Sequence, residues 1–316
     1  MVVSSRDNLD STDKAFMPYD KLFHGGKGTF MQASVKAVEE HAVTLDNGKR
    51  LPFEALVVAT GSKRVGPANF DVPAQNIPAL VAERRASFAV AKNIVIAGGG
   101  AVGIELAAEI KDIWPEKEVT IVHSSDMLLN DAYSDNFRNR AADALKAFGI
   151  KLVLGDRING ELPKGATSVT TAKGEQLAAD LVVPAWGIRP NTELLKSLPN
   201  ATGPSGLVSV RKSLQLASYS HIFALGDIVD IPEQKTVLNA MNHANVVAPN
   251  VLSYLAGQPL RYQYEGSMTA LLVTIGKQSG IGYVGKFGGI TVGSWVVSMI
   301  KSKSLFISQT RKSMGL

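Results

Sequence analysis

Two hydrophobic periods divide the chain. From Gly28 to Ser62, in "GTFMQASVKAVEEHAVTLDNGKRLPFEALVVATGS", apolar and polar residues alternate on both sides of Asp46-Asn47-Gly48. Period-two alternation predicts half-buried strands, and an Asn-Gly pair with positive φ predicts a tight primed hairpin turn between them. "ALVVATG", Ala55 to Gly61, reads as a buried strand ending in a glycine turn, and the Pro- and Gly-rich "GSKRVGPANFDVPAQNIP" as a boundary near residues 73–78. From Asn93 the period changes. "NIVIA" is an unbroken apolar strand, Ile104, Ala107, Ile110 and Trp114 recur at helical spacing, and "EVTIVHS" is a second buried strand. Together they make one βαβ unit of about 30 residues. A helix over Asp135 to Phe148 puts Phe137, Ala141, Leu145 and Phe148 on one face and stops at Gly149. "IKLVLG", "SVTTAKGEQL" and "DLVVPAWG" predict further strands, and "RPNTELLKSLPNATGPSG" a second boundary. Then "HIFALGDIVD" is a strand entering an acidic turn, and "KTVLNAMNHANVVAPNVLSYLAG" a helix of about six turns, bent or stepped at Pro249.

Composition narrows the class. The 316 residues are 45% hydrophobic, enough for two or three domains. No apolar run reaches membrane-spanning length; the longest is "ITVGSWVVSMI", Ile290 to Ile300. The N-terminus has no apolar signal region, so a reducing compartment such as the cytoplasm is expected. The net charge of +5 comes from 33 scattered basic residues. No basic cluster interleaved with aromatics argues for nucleic acid, and an anionic cofactor accounts for the balance. The absence of cysteine excludes thiol nucleophiles, disulfide exchange and thiolate metal sites.

The candidate chemistry starts at Gly98, Gly100 and Gly103. They form G-x-G-x-x-G directly after a strand and at the start of a helix. The first glycine permits the tight turn, the second lets backbone approach a pyrophosphate, and the third lets helix pack on strand. Anionic phosphate would sit at the helix N-terminus. Where an acidic residue would bind a ribose 2′-hydroxyl, His123 stands, followed by Ser124 and Ser125. That leaves NADH and NADPH both open, and a strand-end histidine facing solvent is an equal reading. A second constellation joins Thr60-Gly61-Ser62 to "IFALGD", where Gly226-Asp227 can place a carboxylate on the hydroxyls of a sugar or ribityl chain. The helix beginning near Lys235-Thr236 would aim its positive end beyond Asp227.

The order "ALVVATGS", "VIAGGGAVGIELAAEI", "DLVVPAWGIRPN" (with Gly187), "IFALGD" and "NHANVVAPNVL" resembles the FAD- and NAD(P)-dependent pyridine nucleotide oxidoreductases. Within them it is most similar to the apoptosis-inducing-factor-like and ferroptosis-suppressor-like branch, related to type 2 NADH dehydrogenases. The resemblance implies an α/β fold of two Rossmann-like dinucleotide-binding domains, the FAD domain interrupted by the NAD(P)H domain. The expected segments are 1–85 and 196–262 for FAD, 86–195 for NAD(P)H, and a small α+β C-terminal segment over 263–316. It further implies that Val35 meets adenine through its backbone, that Thr60 and Gly61 flank the FAD, and that Asp227 holds the ribityl chain. Glu105 would lie near the junction of nicotinamide and flavin, Lys301 near the flavin, and Phe306 in a quinone-side pocket. Simpler readings stand beside these: a helix-dipole carboxylate for Glu105, a snorkelling lysine for Lys301 and a core phenylalanine for Phe306. No second G-x-G-x-x-G precedes Asn93, so the FAD domain is expected to be truncated at its N-terminus.

The resemblance implies an FAD-dependent NAD(P)H oxidoreductase whose electrons, with no cysteine pair to receive them, leave for a small acceptor such as a quinone. The alternative is a degenerate relative that binds NAD(P)H without FAD and does not turn over. The Ile290 to Ile300 stretch, flanked by Lys301 and Lys303, either rests peripherally on a membrane or covers the core. A homodimer is also compatible.

Overall fold

The computed structural model describes residues 16–23, 26–159, 165–285, 289–302 and 307–316. The chain forms two compact units: one of Met1–Phe30, Arg64–Gly187 and Met268–Leu316, the other of Met31–Lys63 and Ile188–Ser267.

The first unit is built on a parallel sheet ordered Leu181–Pro184, Asn93–Ala97, Glu118–His123, Ile150–Leu154. The unbroken apolar run of "NIVIA" follows from covering both sheet faces. Ile94 and Ile96 point into one core with Ile104, Ala107 and Ile110 of the helix Ala101–Ile113 and with Phe137, Ala141 and Leu145 of the helix Asp135–Ala147. Val95 and Ala97 point into another, with Val122, Ile158 and Ala179. Each of the larger side chains contributes about 1.5–3 kcal/mol through burial, which offsets the ordering of a strand with no solvated face. Ser134 caps the second helix by accepting the Phe137 N–H. The antiparallel strands Ala270–Ile275, Ser279–Val284 and Ile290–Val292 add Val273, Ile275, Ile281 and Tyr283 to the same core as Ile94. The C-terminal strands therefore share this unit's core, a partner that their own periodicity does not name.

The second unit repeats the scheme on a smaller scale. Leu56–Val58 runs parallel to Tyr219–Ala224, which pairs on its other side with Gln215–Leu216. Ile222 and Ala224 enter one core with Val58 and Val208, while Phe223 enters another with Leu214, Val247 and Tyr264. The helix Val237–Leu255 is capped by Thr236, whose hydroxyl accepts the Asn239 N–H, and runs on through Pro249. Its 19 residues make about five turns. Buried Asn250, next to that proline, donates to the Ser213 and Tyr262 carbonyls.

Two local expectations are corrected. The hairpin between Ala42–Leu45 and Arg50–Pro52 takes positive φ at Gly48 and not at Asn47. With Gly48 N–H donating to Leu45 O, the turn is a longer one closed by a glycine bulge, not a two-residue primed turn. Leu56–Val58 lies at the edge of its sheet with Val57 40% exposed, so it is only half buried.

Candidate functional site

The glycine turn fits a dinucleotide pyrophosphate for reasons of space. Gly98 has φ 128°, and a Cβ there would stand 2.5 Å from the Ala185 carbonyl oxygen. A Cβ on Gly103 would stand 1.9 Å from the Gly98 oxygen, so the helix can approach the turn only without a side chain. At Gly100 the opposite holds: nothing lies within 4 Å of an added Cβ, and this residue caps the helix with no side-chain acceptor. The open position sits where the free N–H groups and helix dipole favour an anion. His123 is drawn into this turn. Its Nδ1 accepts the Gly99 N–H at 3.1 Å and its Nε2 lies 3.3 Å from the Leu129 carbonyl oxygen. Both ring nitrogens serve backbone, so the histidine holds the turn's shape, a role that its strand-end position did not reveal.

Glu105 lies in the first turns of the same helix, half-buried, and its carboxylate is claimed from outside the helix. Its Oε1 accepts the Thr274 N–H at 2.9 Å, lies 3.2 Å from the Thr274 hydroxyl, and receives the Lys301 ammonium at 2.6 Å. Lys301, 196 residues further along, also donates to the Leu272 carbonyl at 2.8 Å. The two candidate catalytic residues thus meet, held by the strand Ala270–Ile275. All three of these donors fall on one oxygen of Glu105. The pair, 23% and 28% exposed at the side chains, contributes about 1 kcal/mol or less to stability; its interest is the fixed position of a carboxylate and an ammonium together. Phe306 lies outside the described residues.

In the second unit, the parallel pairing of Leu56–Val58 with Tyr219–Ala224 brings the two other motifs side by side at their C-terminal ends. Ser62 donates from Oγ to Asp227 Oδ2 at 2.6 Å, across 165 residues of sequence. The Thr60 hydroxyl donates to the Asn191 carbonyl at 2.6 Å, and the Asn191 N–H returns to Gly61 O at 2.9 Å. Gly61 and Gly226 both have positive φ, 63° and 78°, as has Gly187 at 63°. One oxygen of Asp227 is fixed by Ser62, leaving the other to accept a polyol hydroxyl. Ligands outside the C-terminal ends of parallel strands are the rule in open α/β sheets. Val35 opens the strand Val35–Glu39, with a register irregularity between it and Ala37. Ser62 stood in the constellation read beside Gly226-Asp227 without a stated contact, and Asn191 and Thr274 had no named role; each acts through a contact more than a hundred residues away, which no local pattern announces.

The profile of pyridine nucleotide-disulphide oxidoreductases matches residues 18–244. The chain belongs to the pyridine nucleotide-disulphide oxidoreductase family. It is 53% identical over 319 residues to the FAD-dependent oxidoreductase FVFD30 of Flammulina velutipes, covering 100% of this chain and 99% of that protein. It is 33% identical to ferroptosis suppressor protein 1 of Mus musculus, over 99% of this chain and 86% of that one. The fold is similar to the ferredoxin reductase of the CYP199A2 system from Rhodopseudomonas palustris, with TM-score 0.68 and 20% identity over 89% of this chain and 76% of that structure. The sequence resemblance to the apoptosis-inducing-factor-like and ferroptosis-suppressor-like branch therefore holds.

Proposed function

We propose that the chain is an FAD-dependent NAD(P)H oxidoreductase that passes electrons to a quinone-type acceptor. The observation that carries this reading is the meeting of Glu105 with Lys301 on the helix opened by the Gly98 turn. Bound FAD would take up hydride from NAD(P)H and hand the electrons on singly or in pairs, chemistry that no side chain of this protein supplies. The chain's own part is positioning. Gly100 and the N-terminus of the Ala101–Ile113 helix would hold the nucleotide pyrophosphate. Glu105, whose second carboxylate oxygen is not engaged by Thr274 or Lys301, would orient a carboxamide, and Lys301 would favour negative charge developing beside it. In the second unit, Asp227 with Ser62 would hold ribityl hydroxyls, with Thr60 and Gly61 shaping the adjoining backbone and Val35 meeting adenine. With no cysteine in the chain, a cysteine pair cannot relay the electrons, which supports a diffusible acceptor.

The acceptor is tested by following NADH oxidation by the FAD-loaded protein with and without a short-chain ubiquinone analogue. Stoichiometric loss of quinone absorbance with NADH supports the proposal. Rates unchanged by quinone, with oxygen alone consumed, would replace the quinone with dioxygen as the acceptor.

A further inference from the structure

A chain of polar side chains in the second unit ends on the Gly226-Asp227 turn. His243, only 1% exposed, lies on the helix Val237–Leu255. Its Nδ1 accepts the Gly226 N–H at 3.1 Å. The ring proton must then sit on Nε2, which faces Glu233 Oε1 at 2.8 Å, and neither of these two atoms has another partner. Glu233 Oε2 accepts the Tyr264 hydroxyl at 2.5 Å, which lies 2.7 Å from Ser267 Oγ. The Tyr264 ring stands edge-on to the imidazole, with centroids 4.4 Å apart. Lys235 is turned to other work, donating to the Val229 and Ile231 carbonyls. The carboxylates of Asp227 and Asp230 complete the charged groups of the loop.

A core has no need of such a chain. Buried polar groups can be exchanged for apolar ones of the same shape at little cost, whereas a half-satisfied network is expensive. One end of the network reaches Asn242, whose amide donates to Ser267 Oγ at 2.8 Å, and the other ends at the backbone N–H of Gly226, one residue before the carboxylate that Ser62 holds.

We propose that His243 is a positioning residue for the flavin site: through its Nδ1 lone pair it fixes the Gly226-Asp227 turn, and Glu233 and Tyr264 fix the imidazole in the one tautomer able to do so. This rests on Asp227 as the ribityl-binding carboxylate. The dependence is chemical. Were Nδ1 protonated, two N–H donors would confront each other across the 3.1 Å now bridged by a hydrogen bond. Burial pushes the histidine's pKa below its ordinary value, against the raising influence of Glu233, which keeps that lone pair free. The Tyr264 hydroxyl is pushed up to about 12 by burial and by its bond to Glu233, and so stays a donor.

Two substitutions separate the two ends of the ring. In His243→Asn, Oδ1 can take the place of Nδ1 and accept from Gly226, while Glu233 loses its donor. In His243→Gln, the terminal amide reaches Glu233 and Gly226 loses its acceptor. Both variants should melt below wild type. FAD titration of the apoprotein should show Kd raised about tenfold in H243Q and changed less than about threefold in H243N, the cost of one unmet buried donor beside the ligand. Amide hydrogen exchange at Gly226 should be fast in H243Q and protected in H243N and wild type. If Kd follows melting temperature equally in both variants, the residue is merely structural and the proposal falls. Should wild type take up no FAD, the flavin reading fails by itself, and Gly226 exchange still decides whether His243 holds the turn. Nitrogen-15 shifts of His243 in the wild type need no variant: a proton on Nδ1 at neutral pH overturns the proposal.

Discussion

Glu105 carries three donors on one oxygen, so replacing its charge disturbs Lys301 as well as any ligand. Glu105→Gln keeps the shape and weakens both. At saturating NADH, the rate of hydride transfer to bound FAD, followed by stopped flow, should fall about 10- to 100-fold, the scale of loss expected when a positioning group shifts. FAD content should be unchanged, because Asp227 and Ser62 belong to the other unit. A rate within twofold of wild type would remove Glu105 from the site. At this scale the sequence was uneven. Gly98, Gly100 and Gly103 were legible because spacing, strand and helix all lie within a dozen residues, and their steric reasons are those the motif implies. Asp227 became a candidate as the end of a Gly-Asp turn and Glu105 through resemblance, but their partners Ser62, Thr274 and Lys301 stand 165, 169 and 196 residues away. Such pairings are decided by the course of strands, which no window of sequence contains. His123 and His243 share a trait invisible to pattern: each offers Nδ1 to the N–H of a glycine turn, one in each unit.

Among elements, the strands buried on both faces and the amphipathic helix Asp135–Ala147 were legible, since an unbroken apolar run and a 3.6-residue period each have one solution once a sheet must be covered. The hairpin was found but its turn was misread, because Asn47 had no need of positive φ once Gly48 supplied it. The segment Ile290 to Ile300 had two readings, core cover and membrane contact, and the fold buries part of it and exposes part. Val297 is fully buried against the strands, whereas Ile290, Trp295, Met299 and Ile300 are exposed, Trp295 by 74%. Among the described residues no helix is long and apolar enough to cross a membrane. An exposed tryptophan with exposed aliphatic side chains nearby suits an interface, where an aromatic ring meets acyl chains. Trp295→Ser with Met299→Ser should reduce co-sedimentation with anionic phospholipid vesicles several-fold and leave the melting temperature nearly unchanged. Equal sedimentation of the double variant and wild type would assign this face to another purpose.

For the molecule as a whole, His243 predicts the direction of pH dependence. Its folded pKa is depressed below the ordinary value of 6.5, so below that pH the unfolded chain binds a proton that the folded protein resists. Stability from this group is complete above pH about 6.5 and is lost as pH falls from there through the lower folded value. Melting temperature should therefore drop between about pH 6.5 and 5 in wild type and less so in H243N, while a flat profile in wild type would show the histidine to be free of this constraint. The proposed function gives each unit of the chain a cofactor, NAD(P)H at the Gly98 turn in one and FAD at Asp227 in the other. That claim has a direct test in the visible spectrum of the purified protein, supplied with FAD and then reduced anaerobically with NADH. A flavin band near 450 nm that survives desalting and bleaches with about one equivalent of NADH is the predicted result, each oxidised flavin accepting one hydride. A colourless protein after desalting, or a bound flavin that NADH does not bleach, would contradict the account.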